Sequence, residues 1–293
     1  MGFECYHPAI NLIYFVSVIT ATLLFQQPVF LAIAYCCAFA YSIRRNGWRS
    51  LVFNLALLPL VGVFTFYYSG YNHFGVTVLG KNFIDNNMTL ESILYAMTLG
   101  IQAATVIMWM SCVHSVFTAD KVVYLFGRVS PRLSLYLSIV LRMVPRLKAQ
   151  ARKISIARRA IGRGSNQGNF FRRCRNCICI FSMVLTWLLE SFSTIADSMK
   201  SRGYSLKGRT AFSIYRFDNR DRSFVIALFF CATLLLMGYL LNQTGVIFDP
   251  RIMMSPITAL SYVFYAGQLC LCLLPMTLEI IGEQIFKHER VSL

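Results

Sequence analysis

The sequence is poor in charge, and most of the charge it has is of one sign. Only 14% of the 293 residues are charged and 57% are hydrophobic, which is more apolar surface than a soluble domain of this size can bury. Asp and Glu number 12 against 28 Lys and Arg, and no Lys or Arg precedes Arg44. Because the basic residues are concentrated in part of the chain, the net charge of +16 does not indicate a nucleic-acid-binding protein. The distribution is typical of an integral membrane protein.

The sequence also lacks the residue patterns that form metal and nucleotide sites. The four histidines are scattered, and the triplet Cys174-x-x-Cys177-x-Cys179 has no second Cys pair to complete a tetrahedral site, so we expect the cysteines to serve in packing. Glycines at 162, 164 and 168 follow a predicted helix but lack the terminal Gly-Lys-Ser/Thr of a phosphate-binding loop. The sequence therefore predicts that this chain binds no metal and no cofactor of its own.

Long apolar runs predict an all-α membrane protein with about six spans. We place the spans at residues 10–25, 29–43, 51–68, 92–117, 224–241 and 257–281. The first two are shorter than the ~20 residues that a bilayer requires. The predicted organisation has an N-terminal membrane part with four spans (1–117), a central coupling region (118–222), and a C-terminal membrane part with two spans and a tail (223–293).

The distribution of positive charge predicts the orientation. Six spans bring both termini to the same side as the loop at 44–49 and the region 118–222, and 26 of the 28 Lys and Arg residues then lie on that side. Only Lys81 and Arg251 lie on the other side. Because short cytoplasmic loops carry an excess of Lys and Arg, we expect both termini and residues 118–222 to be cytoplasmic and the protein to reside in the cell membrane.

The central region predicts a platform of two long amphipathic helices. One begins at Ser130-Pro131, is apolar over residues 133–147, becomes basic, and ends at the glycines 162 and 164. The second spans residues 171–201, and its apolar middle at 177–189 has only 13 residues and is closed by Glu190. We expect this second helix to lie against the spans or at the interface, because 13 residues are too few to cross a bilayer.

Two functions are compatible with these helices. A basic inner surface binds anionic lipid, at about 1 kcal/mol per Lys or Arg near the membrane. Yet each helix also ends in Arg and Gly together, which lets a helix end approach a partner's backbone while the guanidinium reaches a carboxylate or a carbonyl group. These residues alone leave a protein-docking role and a lipid-binding surface as equal alternatives.

These helix ends resemble the coupling motifs of a transporter family. The segment from Ala196 to Tyr204 (Ala-Asp-Ser-Met-Lys-Ser-Arg-Gly-Tyr), followed by Gly208-Arg209-Thr210, resembles the second coupling motif of the transmembrane T component of energy-coupling factor (ECF) transporters, which are ABC-type importers of vitamins and transition-metal ions. The segment 157–162 (Ala-Arg-Arg-Ala-Ile-Gly) is similar to the first motif, and His7-Pro8 also fits the family. Where the family commonly has Ala-Arg-Gly, this chain has Ala160-Ile161-Gly162, so the arginine is either displaced to Arg159 or Arg163 or absent.

The resemblance implies an energy-coupling role for a non-catalytic subunit. In such transporters two cytosolic ATP-binding-cassette ATPases, which bind the ATP, each receive one coupling helix end, and a membrane substrate-binding S component sits on the platform. The implied ATPase-coupling residues are Ser201, Arg202, Gly203, Tyr204, Arg159, Ala160, Ile161, Gly162 and Arg163. The implied platform residues are Leu133, Leu137, Leu141, Val144, Ile178, Leu185 and Leu189.

Two other classes fit the sequence less well. A membrane enzyme acting on a lipid or polyprenyl substrate usually has acidic clusters or a His with a carboxylate at the inner face, whereas the acids here have no His among them and only Asp218 and Asp221 lie close in sequence. A channel or secondary transporter needs polar residues inside spans. The few candidates for that role are Gln102, His114, Gln268 and Glu279.

Overall fold

The computed structural model describes residues 3–72, 74–81, 87–204, 206, 215 and 217–291, and the described chain is almost entirely α-helical. The segment Gly208-Arg209-Thr210 lies outside the described residues. After a 3-10 turn at Phe3–Cys5, the helices are α1 (Pro8–Leu24), α2 (Pro28–Asn46), α3 (Trp48–Tyr71), α4 (Leu90–Val116), α5 (Ala119–Val129), α6 (Pro131–Ala160), α7 (Phe170–Ser201), α8 (Asn219–Leu240) and α9 (Ala259–Val291).

The chain divides into two compact units. One, here called the membrane unit, comprises Met1–Thr118 and Tyr215–Leu293, and the other, the central unit, comprises Ala119–Ile214. In the membrane unit α4 packs against α1, α2 and α3, while α9 packs against α2 and α8. Gly267 of α9 permits the close approach to α8, because a Cβ there would come within 2.5 Å of the Leu234 side chain. The fold confirms the predicted all-α membrane protein.

An aromatic cluster forms the centre of the membrane unit. Trp109 of α4 is fully buried, and its ring lies 6.4 Å from Tyr14 and Phe15 of α1 and 6.0 Å from Tyr41 of α2, measured between centroids. Phe3, which precedes α1, packs edge-on against Tyr14 at 5.3 Å. These rings join α1, α2 and α4 into one core.

An ion-pair cluster fixes the end of α2 to α9. Glu279, whose side chain is only 9% exposed, lies 3.8 Å from both Arg44 and Arg45 and accepts a hydrogen bond from the Tyr41 hydroxyl at 3.5 Å. Arg44 also pairs with Glu283 at 2.8 Å, and Arg45 pairs with Glu4. The paired charges hold α2, α9 and the N-terminal turn together.

Most of the predicted spans fall on suitable helices. By length and composition α3, α4, α7, α8 and the segment Ala259–Gln284 of α9 can cross a membrane, and Pro8–Leu24 is a shorter apolar helix. The predicted spans from the third to the sixth lie within α3, α4, α8 and α9, apart from residues at their ends. The chain is therefore a multi-pass membrane protein.

The length argument against a span at residues 177–189 is wrong. These residues belong to an unbroken helix of 32 residues, which contains an 18-residue stretch apolar enough to cross a bilayer, because isolated charges near its ends do not interrupt the helix. Only 6% of that stretch is buried within the structure, against 39% for α4. A second argument from the sequence does not depend on length: a span at α7 would place the arginines that follow it, from Arg202 to Arg222, on the outer side of the membrane.

Several elements were not predicted. The central unit has a third helix, α5, whose Val123 carbonyl accepts a hydrogen bond from the Ser134 hydroxyl of α6 at 3.1 Å. Two short antiparallel hairpins pair β1 (Val78–Lys81) with β2 (Asn87–Thr89), and β3 (Val246–Ile247) with β4 (Met253–Met254). Both hairpins lie in polar connections, where strands of two to four residues are too short to show a period-two pattern.

Candidate coupling site

The first candidate site is the C-terminal end of α6. Gly162 has a φ of +73° and its N–H donates to the Arg159 carbonyl at 3.1 Å. The N–H of Arg163 donates to the Arg158 carbonyl at 3.0 Å. These two bonds and the left-handed glycine form a Schellman motif, which ends the helix and leaves Ile161 as its C-cap residue.

The end of α7 has the same geometry. Gly203 has a φ of +75° and its N–H donates to the Lys200 carbonyl at 3.1 Å. The N–H of Tyr204 donates to the Met199 carbonyl at 3.2 Å, and Arg202 is the C-cap residue. The two helices therefore end in matching Schellman motifs, each requiring a residue that tolerates positive φ.

Aligning the two motifs compares the residues position by position. Ile161 occupies the C-cap position that Arg202 occupies in α7, and its side chain is 73% exposed. Arg159 corresponds to Lys200, two positions before the cap, and Arg163 corresponds to Tyr204, two positions after it. Neither Arg159 nor Arg163 occupies the C-cap position. At that position this chain has the apolar side chain of Ile161 instead of a guanidinium group.

The connection between α6 and α7 is held by several hydrogen bonds. The Gly164 N–H donates to the Gln167 side chain at 2.9 Å, and the Gly164 carbonyl accepts from the Asn176 amide at 3.0 Å. The Arg173 side chain donates to the Gly168 carbonyl at 3.0 Å. The loop thus fixes the chain that leaves the α6 cap.

Much of the predicted platform surface is uncovered. Leu133 and Val144 of α6 are 46% and 44% exposed, and Leu137 and Leu141 are half-buried. The α7 residues Ile178, Leu185 and Leu189 are exposed. Phe181 and Phe192 extend the α7 stripe at intervals of three or four residues. Among the described residues of the central unit, the apolar side chains that are buried are Met143 and Val184. An apolar face of this extent is typical of a surface that meets lipid or a membrane partner.

A cleft of about 380 Å³ lies between the first half of α6 and the last turns of α7. Three arginines line it, Arg142 and Arg146 from α6 and Arg202 from the end of α7. Its hydroxyl-bearing residues include Ser138, Thr194 and Ser198, and its apolar residues are Leu135, Ile139, Met143, Ile195 and Met199. The sequence did not predict this cleft. Arg142 and Arg146 resemble other surface arginines of α6, and only the packing of α7 against α6 shows that they line a shared cleft.

The carboxylates most relevant to an enzyme are engaged in a helix cap. Asp218 and Asp221 form a capping box at the start of α8, in which the Asp218 N–H donates to the Asp221 carboxylate at 3.1 Å. Arg220 also lies 3.4 Å from Asp218. Nearby Tyr6 has its phenol pKa raised, chiefly by burial. The described residues contain no group of three or more His, Cys, Asp and Glu suited to a metal ion.

The N-terminal motif also caps a helix. The His7 ring accepts a hydrogen bond from the Ala9 N–H at 3.3 Å, and Pro8 is the first residue of α1. The same ring lies 6.0 Å from Phe217 and 6.5 Å from Tyr215, between centroids. His7-Pro8 thus sets the start of α1 and contacts the segment that leads into α8.

A family model matches most of this architecture. The model described as CbiQ, cobalt transport protein, covers residues 6–212, more than two thirds of the chain. The chain belongs to the CbiQ family. The match includes His7-Pro8 and both Schellman ends, and it stops before α8.

Similar proteins carry a related name. The chain is 36% identical over 93 residues to the energy-coupling factor transporter transmembrane protein EcfT of Lacticaseibacillus paracasei, which is 30% of this chain and 34% of that protein. It is 34% identical over 90 residues to EcfT 1 of Listeria monocytogenes, covering 30% and 34%. It is 29% identical over 106 residues to EcfT of Lactococcus lactis, covering 36% and 40%. The chain therefore spans about a third to two fifths of the length of these relatives.

Within the CbiQ family, the site geometry sharpens one departure in this chain. The sequence alone left open whether Arg159 or Arg163 replaces the missing arginine. The cap alignment assigns the equivalent position to Ile161, and Arg159 and Arg163 lie two residues before and two residues after it.

Proposed function

We propose that this chain is the energy-coupling transmembrane subunit of an ECF-type ABC importer. The observation that carries the proposal is the pair of matching Schellman ends on α6 and α7, within a chain of the CbiQ family. A rigid helix end with a glycine at positive φ offers little steric hindrance to an approaching backbone. Each end is therefore suited to enter a groove on a soluble partner.

The partners we propose are two cytosolic ATP-binding-cassette ATPases and one membrane S component. The α7 end contacts one ATPase through Ser201, Arg202, Gly203 and Tyr204, and the α6 end contacts the other through residues 159–163. The S component covers the exposed apolar stripes of α6 and α7. ATP binds to the ATPases, and the transported solute is a vitamin or a metal ion, with cobalt favoured by the family description.

The difference between the two caps makes the two ATPase contacts unequal. Arg202 supplies five N–H donors in a planar fork, whereas Ile161 supplies none. A charge-assisted hydrogen bond to a partner carboxylate contributes about 1.5–3 kcal/mol. We infer that the α7 end carries most of the polar recognition, and that the α6 end relies on apolar contact by Ile161.

Copurification tests this assignment. The chain is coexpressed with the ECF-type ATPases of the same genome, and the yield of each ATPase is measured. Arg202→Glu is expected to reduce the yield at least tenfold, because it replaces a donor fork with a repelling charge. Ile161→Arg is expected to keep or increase the yield. Arg152→Glu, at an exposed position on α6 away from both caps, is the matched control.

The proposal is wrong if Arg202→Glu copurifies both ATPases at wild-type yield. An equal loss with Arg152→Glu would instead indicate a general charge effect of the basic surface. Orientation is tested separately by fluorescent-protein fusions after Gly168 and after Leu206. Both are expected to fluoresce, since we propose that residues 118–222 and both termini are cytoplasmic and that α7 does not cross the membrane.

A further inference from the structure

The cleft between α6 and α7 concentrates positive charge without matching carboxylates. Arg142 and Arg146 are four residues apart and therefore share one face of α6, and Arg202 faces the same cleft from the end of α7. The residues that line the cleft include no Asp or Glu. Among the described ion pairs within 4 Å, none involves these three arginines.

This charge is not neutralised elsewhere in the central unit. Residues 119–214 contain 18 Lys and Arg and only three acids. Those acids are Asp120, Glu190 and Asp197. Three guanidinium groups that line one cleft repel each other, and an anion bound among them removes that repulsion while accepting their N–H donors. The cleft is therefore suited to an anionic ligand.

The remaining lining identifies the kind of anion. Hydroxyl groups of Ser138, Thr194 and Ser198 offer further donors, and five aliphatic or Met side chains form an apolar wall beside them. A free inorganic ion gains nothing from such a wall, whereas an amphiphile with a charged head and an apolar body uses both parts. Tetrahedral phosphate oxygens match the fork geometry of several arginines at once.

The location of the cleft on α6 agrees with this ligand. Residues 133–141 of α6 include no charged residue, and basic residues become frequent from Arg142 onward. Such a boundary is where a helix leaves the acyl region for the headgroup region, and basic pockets at that level bind phosphorylated headgroups.

We propose that this cleft binds the phosphate group of an anionic glycerophospholipid, with Arg142, Arg146 and Arg202 as its ligands. The proposal deepens the proposed function, on which it rests for the location of the central unit at the inner membrane surface. In this proposal Arg202 binds the lipid phosphate and also contacts the ATPase. Arg142 and Arg146 belong to the lipid site alone.

Native mass spectrometry of the full-length chain in detergent tests the site, with phosphatidylglycerol and phosphatidylcholine as probes. The wild type is expected to retain phosphatidylglycerol in preference to phosphatidylcholine. The double variant Arg142→Gln with Arg146→Gln is expected to bind phosphatidylglycerol at least about tenfold more weakly, because it removes two charge-assisted contacts to the phosphate. The matched control, Lys148→Gln with Arg152→Gln, removes two exposed charges from the same helix outside the cleft and is expected to change binding less than about twofold.

Three outcomes overturn the proposal. They are equal retention of the two lipids by the wild type, an equal loss in the control variant, and displacement of phosphatidylglycerol by millimolar inorganic phosphate, which would make the cleft a site for free anions. If the Gln double variant does not fold, Arg142→Lys with Arg146→Lys keeps the charge but not the fork and is expected to weaken binding severalfold.

The lipid site and the coupling role fail separately. The Gln double variant is expected to copurify the ATPases at wild-type yield, because it leaves both helix ends intact. A negative result for Arg202→Glu in copurification leaves the lipid measurement valid, since that measurement uses the isolated chain.

Discussion

The membrane unit and the central unit differ in how far their apolar side chains are buried and in how many acids they have to pair with their basic residues. In the membrane unit, aromatic rings are buried around Trp109, and the basic residues at the end of α2 are paired with Glu279, Glu283 and Glu4. In the central unit, Met143 and Val184 are the buried apolar side chains among the described residues, and the sequence has 18 basic residues but only three acidic ones. The membrane unit pairs these basic residues with its own acids, whereas the central unit has only three acids in its sequence for 18 basic residues.

This difference indicates which interactions stabilise each unit. Burial and paired charge stabilise the membrane unit from within, so substitutions there should act on stability. Exposed apolar stripes and unneutralised arginines gain most when an external partner covers them. Substitutions in the central unit should therefore act on binding, with small effects on the stability of the isolated chain.

The largest expected effect tests the core of the membrane unit. Trp109→Ala removes a fully buried ring that contacts three aromatic neighbours, and we expect a loss of about 3–5 kcal/mol in the free energy of unfolding. Phe181→Ala on α7 removes a ring that is 68% exposed and should cost less than about 1 kcal/mol. Thermal unfolding of the two variants in the same detergent checks the prediction. Equal losses would break the comparison between the units.

The next effect compares two acids that share one arginine. Glu279→Ala removes a nearly buried carboxylate and leaves Arg44 and Arg45 without it, so we expect a loss of about 3 kcal/mol. Glu283 forms the shorter contact with Arg44, at 2.8 Å, but its side chain is 64% exposed, and Glu283→Ala should cost less than about 1 kcal/mol. Denaturation curves of both variants show whether burial or distance determines how much each ion pair contributes to the free energy of unfolding. A larger loss for Glu283→Ala would contradict the role of burial.

The helices and their ends could be predicted because their signals are local. A long apolar run, Pro at the first turn and Gly after the last one need no tertiary contact, and both α6 and α7 end where their glycines indicated. The helix α5 was missed because it has only 11 residues and its longest apolar run, at 122–126, is five residues long. A short amphipathic helix is stabilised by what it packs against, and the packing of α5 on α6 cannot be read from the sequence pattern.

The candidate site was only partly predictable for a related reason. The equivalence of Ile161 and Arg202 depends on backbone hydrogen bonds, which identify the cap residue. The motif spacing left open whether the arginine was displaced to Arg159, displaced to Arg163 or absent. The arginine cleft depends on residues about 60 apart in sequence meeting across two helices. Nothing in the spacing of Arg142 and Arg202 indicates that meeting.

The smallest expected effect distinguishes the two matching caps. Ala at a left-handed position costs about 1 kcal/mol, so Gly162→Ala and Gly203→Ala should both destabilise their helix ends. A Cβ at Gly203 would also lie 3.1 Å from Leu206, whereas a Cβ at Gly162 meets no heavy atom within 4 Å among the described residues. We therefore expect Gly203→Ala to increase amide hydrogen exchange at its cap more than Gly162→Ala does. Asn, which tolerates positive φ better than Ala, should restore part of the protection at either position, and equal exchange in the two Ala variants would mean that the caps are interchangeable in the isolated chain.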